Sequence, residues 1–313
     1  MANAVLLLRH SDMVHALGQV DLLDVVARDM TGQLAPGRSG VSATTEVTTV
    51  NDPDNELTYQ LPTPSLLMIR LAGLAGTAAR HLLPPGAITA AVLGSGAVAR
   101  LQLTVMAHYL PDVSQVAAHP SVVHIRHSAD CDVRGSLYRA GSTLSLSDDP
   151  MRTAFGANLL VIGEIGWVPL DVGHLRAGAL VANATRRDLP DALLAQVDRV
   201  CVDDLTLLEH NQHRTFVQRH LGCPPPGPDP THQRTDGWYR RRPSWRATRH
   251  IDTDLCRILA ERQRRTDFDD VLLLELLETA TAGTHLATRL CRAAGGLGLG
   301  LGLGHRIDEP RNG

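Results

Sequence analysis

The sequence predicts an α/β chain: a doubly wound parallel sheet joined to a smaller α+β unit built from the N-terminal and C-terminal segments. Three observations carry this. Ile88 to Leu93 is a short apolar run that passes straight into Gly94-Ser95-Gly96-Ala97-Val98-Ala99, and a helical pattern follows without a break. From there to Val202, short aliphatic runs alternate with helical stretches, as in successive β–α–β crossovers. Ahead of it, residues 41–61 are rich in Thr and Val and are interrupted by Asn-Asp-Pro-Asp-Asn, a pattern of strands and a turn.

Element by element, residues 4–8 read as strand, and Ser11 as the N-cap of a helical stretch through Val26 and Met30. Residues 32–40 are a loop carrying Arg38, 41–50 strand, 51–55 turn and 57–61 strand. A helix over 65–82 stops at Pro84-Pro85-Gly86. After the apolar run at Ile88 and the helix through Tyr109, further strands are expected at 122–125, 158–162, 179–183 and 199–202, with a helix over 190–197. Residues 131–150 are poorly patterned and read as degraded helix and loop. Residues 206–221 read as one amphipathic helix, 254–294 as helix packing back on the N-terminal unit, and the Gly-Leu repeat at 295–304 as a frayed tail. The implied division is a substrate and dimerisation domain (1–82 with 254–304), a dinucleotide-binding domain (83–222), a Pro/Arg-rich insertion (223–250) and a tail (305–313).

Composition narrows the class. A chain of 313 residues can bury a full core and make two units. Hydrophobic content of 43% and a net charge of -3 predict a globular protein without a general pull toward nucleic acid. No stretch reads as a membrane span or a basic leader, so a cytoplasmic location is expected. Cys131, Cys201, Cys223, Cys256 and Cys291 are scattered, odd in number and free of Cys-x-x-Cys pairs, which predicts reduced structural thiols. The chain has no lysine: all 30 basic residues are arginine. No side-chain Schiff base and no ammonium general acid can operate here.

The Gly94–Ala99 run has the chemistry of a dinucleotide site. Gly94 permits a tight turn, Gly96 lets backbone approach a pyrophosphate, and Ala99 is small enough for close helix–strand packing. The N–H groups opening the helix, with Ser95, Ala97 and Val98, would face the anion. A coenzyme's ribose is read at the end of the next strand, here Arg126-His127-Ser128, with no carboxylate until Asp130. Arg126 or Ser128 suits a 2'-phosphate, so NADP is favoured with NAD open. The Trp238-Tyr239-Arg240-Arg241-Arg242 stretch could grip phosphates, with a solvated loop as the plainer reading. His210, His213 and His220 share helical spacing, but Glu209 points elsewhere, and no metal site is expected.

Three segments resemble the ornithine cyclodeaminase/mu-crystallin family of NAD(P)-dependent enzymes. They are Arg70 to Leu82, Gly94 to Leu103, and residues 157–203 with Leu-Arg-Ala-Gly-Ala at 175–179 and Ala-Gln-Val-Asp-Arg-Val-Cys-Val-Asp at 195–203. The resemblance implies a Rossmann nucleotide domain, a homodimer, and two arginines holding the carboxylate of a small amino or imino acid substrate; by position these are Arg70 and Arg38. The chain also departs from the family pattern. The family's acid–base lysine would fall within 41–61, where there is none. The acidic residue expected after the fourth strand has only Asp188 as a stand-in, and Gly163-Glu164-Ile165-Gly166-Trp167 replaces a Thr-x-Thr/Ser motif. His81 is the remaining acid–base candidate, with a structural histidine as the plainer reading; no catalytic residue is assigned. The expected function is imine reduction or amino-acid dehydrogenation at a C–N bond in specialised biosynthesis. An ammonia-releasing cyclodeaminase and a catalytically silent nucleotide-binding homologue are the alternatives.

Overall fold

Strands buried on both faces make the larger sheet. Leu-Leu-Val-Ile, Leu-Val-Ala-Asn, Arg-Val-Cys-Val and Leu-Leu-Leu-Glu are buried at every position, as strands covered on both sides by helices must be. The computed structural model describes residues 4–32, 40–123, 132–163, 170–222, 251–262, 265, 268–277 and 284–302. In chain order the elements are β1 (Ala4–Leu7), α1 (His10–Ala16), α2 (Leu22–Met30), β2 (Gly40–Ala43), β3 (Val47–Asp52), β4 (Leu57–Pro62) and α3 (Thr63–Leu82). There follow β5 (Thr89–Leu93), α4 (Gly96–Tyr109), β6 (Gln115–Ala118), α5 (Val133–Arg139), β7 (Thr143–Leu146), α6 (Pro150–Ala154), β8 (Leu159–Ile162) and β9 (Leu180–Asn183). Last come α7 (Asp191–Leu194), β10 (Arg199–Val202), α8 (Thr215–Gly222), β11 (Thr253–Asp254), α9 (Leu255–Ala260), β12 (Leu272–Glu275), α10 (Thr284–Gly296) and β13 (Leu301–Gly302).

The larger sheet has the order β11-β10-β12-β9-β8-β5-β6-β7, and every pairing in it is parallel. From β5 the chain moves outward to β6 and β7, then returns to β8 on the other side of β5. The switch in winding direction therefore falls between β5 and β8, where open parallel sheets bind ligands. The smaller sheet, β13-β1-β4-β3-β2, takes four strands from the N-terminal segment and one from the C-terminal segment. The predicted doubly wound α/β fold with a smaller α+β unit is the observed one.

Helix α3 joins the two sheets. Fourteen of its twenty residues are buried, so it is apolar nearly all round, as a central helix must be. Small residues let its neighbours close in: a Cβ on Gly73 would lie 2.8 Å from Val26 Cγ2 of α2, and one on Gly76 3.0 Å from Val105 Cγ1 of α4. Buried Arg265 donates to the carbonyls of Leu82, Gly178 and Asp270, binding the end of α3 to the turns that lead into β9 and β12. Among the described residues, no helix is long and apolar enough to cross a membrane.

Several expected elements are corrected. The strand expected at 122–125 lies instead at Gln115–Ala118, while residues 120–122 form a 3-10 turn opened by Pro120 and capped by His119. Val122 is buried from within that turn, so its apolar character reflects packing rather than pleat. Strand β7 was unforeseen: it is an edge strand with alternating exposure, entered through Gly141 at φ 81°. The stretch read as helix over 254–294 contains β12 in the middle of the larger sheet. A fully buried strand shows an unbroken apolar run and no period of two. Residues 41–50 hold two strands, with a turn between them closed by Thr44 Oγ1.

The first helical stretch breaks in two. Arg9, not Ser11, precedes α1, and Asp21 caps α2 by accepting from the Asp24 N–H at 3.1 Å. The helix expected over 206–221 is a 3-10 segment, Leu205–Asn211, followed by α8. The Gly-Leu repeat is no frayed tail in its described part. Gly295 lies within α10, where a Cβ would stand 2.5 Å from Tyr59 Oη, and Leu301 and Gly302 pair with β1.

Candidate coenzyme and carboxylate site

The turn from β5 into α4 has the backbone its glycines permit. Gly94 has φ 142° and Gly96 φ 69°, with extended Ser95 between them; both glycine values lie where a Cβ would be strained. A Cβ at Gly96 would meet nothing within 4 Å, so the space beside the turn is open. Ser95, the residue before α4, makes no side-chain cap hydrogen bond to it, and the first turn of α4 carries no acidic residue. The opening N–H groups of this 14-residue helix thus have no side-chain cap among the described residues, the arrangement that suits helix N-termini to anions. Ala97 and Val98 lie in that first turn, and buried Ala99 packs beneath it. Gly163, just past β8, donates its N–H to the Leu93 carbonyl at 2.7 Å. A Cβ there would sit 3.5 Å from both Leu93 O and Val98 Cγ1.

Beyond this turn, the carboxyl ends of the strands form a row. Leu93 is level with Ile162, Ile162 with Asn183, Asn183 with Glu275, and Glu275 with Val202. Alternation sorts these ends between the sheet's two faces. Cys201, Leu272 and Leu274 pack in one core with Leu66 and Ile69 of α3, whereas Val181, Val200 and Leu273 pack in the other. Asp203, two residues past Cys201, therefore faces α3, while Asn183 and Glu275 face away.

On the α3 side, Asp203 is fully buried. Its Oδ1 accepts from the Leu277 N–H at 3.0 Å, and its Oδ2 has no hydrogen-bond partner among the described residues. Burial pushes its carboxyl up to about 7, against the downward pull of the Arg70 guanidinium and of backbone N–H groups. Half-buried Arg70 makes no hydrogen bond or ion pair among the described residues. The sequence-predicted carboxylate clamp is thus an uncommitted cation beside a buried acid. Cys256 lies in the same neighbourhood, its thiol pushed up to about 12 by burial and by Asp204, Asp254 and Asp203. Burial, with Asp254, Asp203 and Asp252, also pushes Cys201 well up. Both thiols are held protonated at neutral pH by this setting.

On the opposite face, Glu275 Oε2 accepts from Arg214 Nη2 at 2.6 Å and from Asn183 Nδ2 at 2.7 Å. Burial raises Glu275 to about 7, against Arg214 and Asn183, which lower it. Arg214 also donates to the Arg187 carbonyl at 2.9 Å and to Asp188 Oδ1 at 3.3 Å. Asp188 Oδ2 accepts from the N–H of Thr215, the first residue of α8, at 2.8 Å. Burial works against the charged form of Asp188, but the Thr215 hydrogen bonds and Arg214 outweigh it and hold the carboxyl low. Asp188 is thereby committed to α8 and Arg214.

Of the other sequence candidates, His81 Nδ1 lies 2.9 Å from the Thr77 carbonyl one turn back in α3, a structural bond. His210 and His213 are exposed around the 3-10 segment before α8, and His220 Nδ1 accepts from the Ile251 N–H. Arg38, Arg126, His127, Ser128, Cys131, Cys223 and the Trp238–Arg242 stretch lie outside the described residues. Sequence reasoning missed Asp203, Arg214 and Glu275 as site features. Two of them carried a signal: Asp203 directly follows a predicted strand, and Glu275 is a lone charge in Leu-Leu-Leu-Glu-Leu-Leu.

No protein-family model matches the chain, and comparison with curated protein sequences gives no match. Solved structures do match. CmnK superimposes with a TM-score of 0.67 at 17% identity, over 97% of this chain and 99% of CmnK. An archaeal alanine dehydrogenase dimer with bound NAD matches with a TM-score of 0.62 at 11% identity, over 96% and 99% of the two chains. Thermococcus litoralis Δ1-pyrroline-2-carboxylate reductase, in complex with NADH and L-proline, matches with a TM-score of 0.60 at 13% identity, over 95% and 99%. Across nearly its whole length, the chain has the two-unit fold of these proteins.

Proposed function

We propose that the protein is an NAD(P)-dependent oxidoreductase of the ornithine cyclodeaminase/mu-crystallin family, reducing the imine of a small imino acid. The observation that carries the reading is the Gly94–Gly96 turn: two left-handed glycines and an uncapped helix at the switch point of a parallel sheet. Gly94, Ser95, Gly96, Ala97 and Val98 would hold the coenzyme's pyrophosphate, and Arg126, His127 and Ser128 its adenosine ribose, in NADP or NAD. A bound nicotinamide supplies hydride. Arg70, with Arg38, would fork onto the substrate carboxylate, fixing the carbon that bears nitrogen. Support comes from structural neighbours of the same fold that bind NAD or NADH, one of them with L-proline. Imine reduction is favoured over ring-closing deamination because the chain has no lysine for repeated proton transfers. A homodimer is proposed alongside it, as in the dimeric alanine dehydrogenase neighbour.

The test is a fluorescence titration with NADPH and NADH, then coenzyme consumption with pyrroline-2-carboxylate and piperideine-2-carboxylate. Binding that Gly96→Asp abolishes, together with turnover, supports the proposal. A protein that binds neither coenzyme refutes it. The absence of lysine favours one other reading, a catalytically silent nucleotide-binding homologue. Coenzyme binding without turnover would select that reading.

A further inference from the structure

We propose that Asp203 takes up a proton when a carboxylate-bearing ligand binds Arg70, so that the site holds next to its ligand the proton no lysine can supply. The geometry has three parts. Asp203 has one oxygen tied to the Leu277 N–H and one buried oxygen, Oδ2, without a partner among the described residues. That second oxygen is a place for one proton. Next, the Arg70 guanidinium carries no ion pair or hydrogen bond among the described residues, so its charge serves Asp203 until an anion claims it. Finally, among the described residues the other titratable groups around this position are acids, thiols and one arginine already paired with an acid. The acids and thiols are Asp204 beside it in the chain, Cys201 on its own strand, Asp252 and Asp254 around β11, and Cys256 on α9. The nearby cation on α9, Arg257, is paired with Glu261 at 2.9 Å. Arg70 is therefore the side-chain cation on which the charged form of Asp203 depends.

The consequence follows from linkage. Burial holds the Asp203 carboxyl at about 7, with Arg70 the largest opposing influence. A ligand carboxylate on Arg70 neutralises that influence, and the Asp203 value climbs. Above neutral pH, binding then draws up to about half a proton per site from solvent onto Oδ2 for a one-unit rise, and ligand affinity falls as pH rises. The proton moves from buffer to Asp203, and no ligand bond forms or breaks in that step. Its bearing on catalysis rests on the proposed function: reducing C=N consumes one hydride and one proton, and Asp203 would hold that proton near the ligand.

The experiment uses the full chain without coenzyme, so its outcome is separate from whether nicotinamide nucleotides bind. Infrared difference spectra between wild type and Asp203→Asn read the protonated Asp203 carboxyl across pH. The expected midpoint is about 7. It should move up by on the order of one pH unit in Arg70→Met, and likewise in wild type saturated with pyrrole-2-carboxylate. Calorimetric titration of pyrrole-2-carboxylate at about pH 8, in two buffers of different ionisation enthalpy, should show uptake of about 0.4 proton per site, the amount a one-unit rise from about 7 gives at that pH. Asp203→Asn should bind with no uptake and with pH-independent affinity. A midpoint in the ordinary aspartate range, a midpoint unmoved by Arg70→Met, or no proton uptake with pyrrole-2-carboxylate each overturns the proposal.

Discussion

Removing Arg214 tests the structure where its electrostatics are most concentrated. Arg214→Met leaves Glu275 buried, with Asn183 as its remaining hydrogen-bond donor. Both side chains of the pair are about 2% exposed or less, so solvent cannot replace the lost cation. Breaking such a pair from one side costs about 3–5 kcal/mol. The pH dependence gives the effect its signature. Glu275 is already raised from 4.5 to about 7, which at about 1.4 kcal/mol per pH unit corresponds to about 3 kcal/mol. Because the folded value is raised, that stability is fully present below pH 4.5 and lost as pH climbs through 7. In Arg214→Met the folded value climbs further, so the loss continues to higher pH. Urea unfolding should show a gap between wild type and variant that widens by about 1.4 kcal/mol from about pH 5 to about pH 8 and goes on widening at about that amount per pH unit until the variant's own folded value is reached. Adding Glu275→Gln should close most of the gap at the higher pH. A gap below about 1 kcal/mol at pH 8, or one of equal size at both pH values, would refute the reasoning.

Three further outcomes are expected. Asp203→Asn should flatten the pH dependence of unfolding: the wild-type carboxyl is raised from 3.8 to about 7, so wild-type stability falls across that window while the variant's does not. Denaturant midpoints from about pH 4 to 8 check this, and parallel curves would contradict it. Gly178→Ala should be strongly destabilising, because Gly178 has φ 75° and an added Cβ would overlap the Phe268 carbonyl. A loss of at least about 2 kcal/mol is expected, and a thermal melt indistinguishable from wild type would contradict it. Arg292 hydrogen-bonds Asp52 at 2.7 and 3.0 Å and holds its carboxyl below the ordinary value. That stability is present above pH 3.8 and lost as pH falls through the folded value. Arg292→Met should therefore be weaker than wild type near neutrality and converge with it in acid, as read by urea unfolding.

The elements that could be read from the chain are those whose signal is local. Gly94-Ser95-Gly96 between an apolar strand and a helix is legible because left-handed backbone and an uncapped helix start are properties of a few consecutive residues. Pro84-Pro85-Gly86 after α3, and the strands β8, β9 and β10, are legible for the same reason. Strand β12 was not, because a fully buried strand and a buried helix present the same apolar run, and only lateral pairing to β9 and β10 tells them apart. Strand β6 was displaced because Val122 is apolar for packing inside a 3-10 turn.

The site divides along the same line. Sequence alone determined the Gly94-Ser95-Gly96 turn between strand and helix and the lack of any lysine, and it singled out Arg70 as a candidate. Only tertiary structure decided that Asp203 is buried on the α3 face beside Arg70, and that Glu275 meets Arg214 across 61 residues of chain. The physical reason is range. Backbone conformation is set by neighbours within a turn or two, whereas burial and charge pairing depend on which surfaces close over a side chain. Two acidic residues with the same ordinary chemistry thus become neutral-range titrating groups through packing, which no stretch of sequence displays by itself.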